Sequence, residues 1–101
     1  MQLARFLNKL FKTGGFVLID ANLNKYIIGS PEKNNPITLK LLDKKLHYKL
    51  LFHPDLYFGE AYTDGDIVIE NGSLSDFLDL ALMNFGRGEL NFFSYLINRL
   101  R

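Results

Sequence analysis

At 101 residues and 48% hydrophobic content, the chain has the length of one domain, able to bury a core but too short to divide in two. Nine Phe and five Tyr without Trp predict an aromatic-rich core, and zero cysteines exclude thiolate zinc sites, thiol nucleophiles and disulfide frameworks. A net charge of +1 hides a division: residues 1 to 53 hold nine Lys or Arg against three acids (+6), and residues 54 to 101 hold three against eight (−5). Such a split marks either a basic face for an anionic partner or two halves that attract one another when folded.

From Gln2 to Lys12, Leu3, Phe6, Leu7, Leu10 and Phe11 fall at spacings of three and four, which predicts an amphipathic helix. On a helical wheel they span roughly 140°, opposite Gln2, Arg5, Asn8, Lys9 and Lys12. The Gly14-Gly15 pair is read as its stop. Phe16 to Asp20 and Lys25 to Gly29, joined by Ala21-Asn22-Leu23-Asn24, read as a hairpin. Residues 30 to 36 collect turn formers and make a loop before a third strand at Ile37 to Leu41. Leu46, Leu50 and Leu51 restore helical spacing up to His53, where Pro54 disfavours helix at the residue before it.

Asp55 to Thr63 reads as a short helical turn, broken by Gly65. Ile67-Val68-Ile69 forms a strand ended by Asn71-Gly72. Ser73 with Asp76 resembles a capping box, leading into a helix with Leu74, Phe77, Leu78, Ala81 and Leu82 on its buried stripe and Gly86 and Gly88 at its end. A last helix spans about Glu89 to Leu100, with Leu90, Phe93, Ile97 and Leu100 on one side. The sum is one α+β domain over residues 1 to 101: a small sheet of about four strands packed with four to five helices.

The inventory of reactive groups is thin. The glycine pair lies between a helix and a strand, the reverse of the order in which a phosphate-cradling loop works. His47 and His53 are six residues apart, off the i, i+4 spacing of helical ligands, and no third ligand or serine accompanies them, so they read as surface or boundary residues. Glu60 and Asp64, at i, i+4, present a carboxylate pair of the kind used in general acid and base work. The same stretch, Asp64-Gly65-Asp66, is also a turn-forming combination. A pI near 8.0, with basic residues spread over several elements, argues against nucleic-acid binding. Arg5, Lys9 and Lys12 interrupt any signal-like apolar run, and no stretch approaches a membrane span, so a cytoplasmic address is expected.

A basic face opposite Leu and Phe makes the first helix a candidate interfacial membrane helix, although the same apolar face can instead fill the core. Three cations contribute only about 3 kcal/mol at an anionic leaflet, so stable attachment needs apolar contact as well.

The run HPDLYFGEAYTDGDIVIENGSLSDFLDLALMN, His53 to Asn84, resembles the N-terminal region of the cyclopropane-fatty-acyl-phospholipid synthase family. The resemblance is carried by Asp-Pro-Asp-Leu-like, Gly-Glu-Ala-Tyr and Asp-Gly-Asp elements before a leucine-rich helix. His53 stands where the family often has an acid. GGFVLIDANLNKYIIG is similar to the family's first hairpin and ITLKLLDKKLHYKLLFHPDL to its next strand and helix, so the likeness spans roughly Leu10 to Asn84. It implies a sterol-carrier-like accessory domain of an S-adenosylmethionine-dependent methyltransferase acting on phospholipid acyl chains, with the methyl donor and catalytic residues in a larger C-terminal domain. No catalytic residue carries over, and no cofactor is expected on this chain. Gly59, Glu60, Ala61, Tyr62, Gly65 and Asp66 match the family pattern, with a turn and packing role.

The expectation is therefore a non-catalytic domain that engages phospholipid peripherally at the inner membrane. Arg5, Lys9 and Lys12 would meet headgroups, and Phe6 and Leu10 acyl chains. The alternative is a domain that docks on the catalytic domain or forms a homodimer through apolar helix faces.

Overall fold

The computed structural model describes residues 1 to 84, except for the Asp55 side chain. The elements are α1 (Gln2–Leu10), β1 (Gly15–Ile19), β2 (Lys25–Gly29), β3 (Thr38–Leu41), α2 (Leu46–Phe52), α3 (Pro54–Asp64), β4 (Ile67–Glu70) and α4 (Leu74–Asn84). The strands form one mixed sheet in the order β2-β1-β3-β4, giving an α+β fold with four helices among the described residues. The expected closing glycines Gly86 and Gly88 and the last helix lie outside those residues.

β1 pairs antiparallel with β2, Gly15 facing Gly29, and parallel with β3, Val17 facing Thr38. β4 returns antiparallel to β3, with Leu39 opposite Ile69. Side chains alternate between the two faces of a strand, so each strand divides into two sets. Phe16, Leu18, Ile28, Leu39, Leu41 and Ile67 join one core cluster to which all four helices contribute, including Leu3, Leu46, Phe58 and Phe77. The alternate positions Val17, Ile19, Ile27, Lys40 and Val68 point to the other face, where Ile27 is 60% exposed. The helices thus form one layer on one side of the sheet.

The glycine pair does not stop α1. The helix ends at Leu10 with Phe11 extended, and Gly14 (φ +67°) and Gly15 instead bring the chain against β2. A Cβ on Gly15 would lie 2.1 Å from the Ile28 carbonyl oxygen, so only glycine permits this approach. The predicted short turn at 55 to 63 is a helix of 11 residues with Pro54 in its first turn, where a missing N–H costs nothing. Its C-terminus is closed by Gly65 (φ +82°), with the Asp66 N–H donating to Ala61 O at 2.8 Å and Gly65 N–H to Tyr62 O at 3.2 Å. The capping box forms as expected: Asp76 N–H donates to Ser73 Oγ at 3.1 Å and Ser73 N–H to Asp76 Oδ2 at 2.9 Å.

The β1–β2 turn is organised by Asp20, whose Oδ1 accepts from Asn22 N–H and Asn24 N–H, both at 2.9 Å, while Oδ2 accepts from the Tyr26 hydroxyl at 3.3 Å. Partial burial pushes this carboxyl up, but the bonds from Asn24, Asn22 and Tyr26 outweigh it and hold it below its usual 3.8. The folded value being the lower one, the stabilisation is present above the unfolded value and is lost as pH falls through the folded one. Asp20→Ala is expected to cost about 1 kcal/mol at pH 7, the modest figure reflecting its partly exposed setting. The difference from the wild type should shrink as pH falls below 3.8. Urea unfolding of both proteins on either side of that value checks this, and an undiminished gap at low pH would assign the effect to packing.

Candidate functional site

α1 is amphipathic as its spacing requires. Leu3, Ala4 and Phe11 are buried, and Phe6, Leu7 and Leu10 are half-buried against the core. Arg5, Lys9 and Lys12 are exposed. The apolar side of α1 is therefore used inside the domain, and Arg5 and Lys9 line its outside; the expected helix to Lys12 stops at Leu10, so Lys12 lies past the C-cap Phe11 and off the helical face. The two oppositely charged halves meet in few ion pairs: among the described residues, one joins Lys40 to Glu70 at 3.0 Å across the sheet.

Two asparagines lock α1 and its exit in place, and no local signal marks either. Asn8 pairs with the outer edge of β2, its Oδ1 accepting from Gly29 N–H at 2.8 Å and its Nδ2 donating to Ile27 O at 3.3 Å. An edge strand left open is a template for association, and this side chain occupies part of it. Asn84, at the end of α4, accepts from Lys12 N–H and Thr13 N–H, both at 2.7 Å, and donates to Thr13 O at 2.9 Å.

The family-pattern residues sit in α3 and its cap. Gly59 and Ala61 are buried, and Gly59 O accepts the Thr63 hydroxyl at 2.9 Å. Tyr62 is half-buried and stacks on Phe58, with ring centroids 6.4 Å apart. Gly65 caps the helix, and Asp66 O accepts Leu42 N–H at 2.8 Å, extending the β3–β4 pairing. These contacts are structural in kind. Glu60 and Asp64 are both exposed.

The histidines lie at the edges of α2. His47 Nε2 is 3.5 Å from Gln2 Oε1, which sets the first turn of α1 beside α2, and His53 separates α2 from α3 in non-helical backbone (φ −142°, ψ 78°). No group of three or more His, Cys, Asp or Glu among the described residues is arranged to hold a metal ion. No described helix is long and apolar enough to cross a membrane.

A surface that the sequence reading passed over lies on the outer side of α2. Lys45, Tyr48, Lys49 and Phe52 are all exposed and follow the i, i+3, i+4, i+7 spacing of one helical face. Tyr48 is 63% and Phe52 79% exposed. The Lys49 ammonium lies 5.6 Å from the Tyr57 ring centre, a cation–π contact. The signal was present in KKLHYKLLFH, but the leucines of the same helix outweighed it.

Two recesses lie at opposite ends of β1. One, of about 250 Å³, is lined by Met1, Asp20, Asp43, Lys44, His47 and Tyr48. The other, of about 360 Å³, is lined by Gly14, Gly15, Glu32, Asp76, Asp79 and Met83, and so is acidic. Compared with known proteins, the chain matches no family model, no curated protein and no solved structure.

Proposed function

We propose that this chain is a non-catalytic, lipid-engaging domain that serves a cyclopropane-fatty-acyl-phospholipid synthase-like methyltransferase by holding it at an anionic phospholipid surface. The observation that carries the reading is the exposed basic side of α1, Arg5 and Lys9, continued by Lys12 past its C-cap. Arg5, Lys9 and Lys12 form no ion pair with the acidic half among the described residues. Basic groups near an anionic leaflet gain about 1 kcal/mol each, and that gain is screened by salt. In this reading the donor S-adenosylmethionine and the catalytic groups belong to the methyltransferase domain, and the residues from Gly59 to Asp66 hold the fold. Peripheral association at the inner face of the cytoplasmic membrane follows.

The chain should sediment with vesicles containing phosphatidylglycerol at about 0.05 M salt, and should be released as salt rises to about 0.5 M. Neutral phosphatidylcholine vesicles should retain much less of it. Equal binding to both, unaffected by salt, would remove the reading. A second reading, docking onto the catalytic domain or a second copy, is favoured by the exposed apolar side chains Ile27 and Val68 on the sheet face away from the described helices. Light scattering showing a dimer would select it.

A further inference from the structure

We propose that the part of the domain entering the lipid interface is the outer face of α2, with Tyr48 and Phe52 inserting between headgroups and Lys44, Lys45 and Lys49 meeting anionic phosphates. This inference rests on the membrane reading above and assigns its contact surface. Phe6 and Leu10 are half-buried against the core, so inserting them would strip contacts from the fold. Phe52 and Tyr48, at 79% and 63% exposed, are available without any such loss. Aromatic rings flanked by long basic side chains suit the headgroup layer, because the ring is apolar at its body and the ammonium groups reach outward.

Charge selects the occupant. From Lys44 to His53 the chain carries three lysines and no acid. Asp20 and Asp43 line the recess behind this face, where Lys44, Lys45 and Lys49 outnumber them. The recess at the far end of β1 carries Glu32, Asp76 and Asp79 instead. An anionic surface therefore attracts one end of the domain and repels the other, which fixes orientation as well as attachment. α1 cannot supply that polarity. Its first turn touches α2, whereas Lys12 is tied to Asn84 at the acidic end. Size argues against a second copy as occupant: two aromatic side chains offer roughly 300 to 500 Å², below the about 800 Å² per partner of a stable interface.

The chain has no Trp, so Phe52→Trp and Met83→Trp each create a single reporter, at the α2 face and at the acidic end respectively. Vesicles of phosphatidylcholine with phosphatidylglycerol should shift the emission of Phe52→Trp to the blue and leave that of Met83→Trp in place. The triple variant Lys44→Gln, Lys45→Gln, Lys49→Gln should bind these vesicles on the order of a hundredfold more weakly, about fivefold per lysine. The corresponding Arg5→Gln, Lys9→Gln, Lys12→Gln variant should lose less. Circular dichroism checks that each variant, altered only at exposed positions, is folded. If the wild type binds anionic vesicles while Phe52→Trp emission stays put, or the α2 triple variant binds within twofold of it, this assignment falls and the membrane reading stands. Failure of the wild type to bind any vesicle overturns both. A dimer dissociated by Phe52→Ser gives the face to a second copy and overturns the assignment.

Discussion

Phe77→Ala is expected to lower the unfolding free energy by about 4 kcal/mol and the melting temperature by roughly 20 °C. Phe77 is 5% exposed and stands where the helices meet the sheet. Its ring meets Phe16 edge-on at 5.1 Å and Phe58 nearly parallel at 5.3 Å, with Phe11 at 6.2 Å. Removing it takes one partner from three aromatic contacts and opens a cavity that backbone from α1, β1 and α3 cannot easily close. Domains of this size hold only about 5 to 15 kcal/mol in total, so this single change uses much of the margin. Urea unfolding followed by circular dichroism measures it, and a loss under about 1 kcal/mol would mean that the four rings do not form a common cluster.

Gly29→Ala should cost about 3 kcal/mol, and Gly65→Ala only about 1. Both glycines have positive φ, +66° and +82°, so both alanines bear the left-handed strain. Only at Gly29 does space fail as well. A Cβ there would lie 2.4 Å from the Gly14 carbonyl oxygen, the acceptor of the Ser30 N–H at 2.9 Å, whereas nothing lies within 4 Å of one on Gly65. The mutant must either break that hydrogen bond or part β1 from β2 at their Gly15–Gly29 end. Equal losses at the two positions in the same unfolding experiment would show that strain alone matters and that the close approach is relaxed in solution.

The candidate surface was only half legible. The basic side of α1 could be read from spacing because charge and apolar residues segregate cleanly over its nine residues. Whether its apolar side faced core or lipid could not, since both environments reward the same side chains. Burial decides: Leu3 and Phe11 are core. The α2 face was hidden for the opposite reason. Tyr48 and Phe52 look like core residues in sequence, and only the packing of Leu46 and Leu50 inward turns them outward.

Local chemistry was enough for the capping box of Ser73 and Asp76, the break at Pro54, the hairpin turn around Asp20 and the left-handed cap at Gly65. Each depends on residues within about four positions, where hydrogen-bond geometry and steric limits act without the rest of the chain. The sheet order β2-β1-β3-β4, with β1 parallel to β3, had no such signal. Nor did the bonds of Asn8 to Gly29, 21 residues apart, or of Asn84 to Thr13, 71 apart. Those pairings exist only once one face of the sheet has been buried under the helices, because a side-chain amide cannot choose a distant backbone partner until packing has brought that backbone to it.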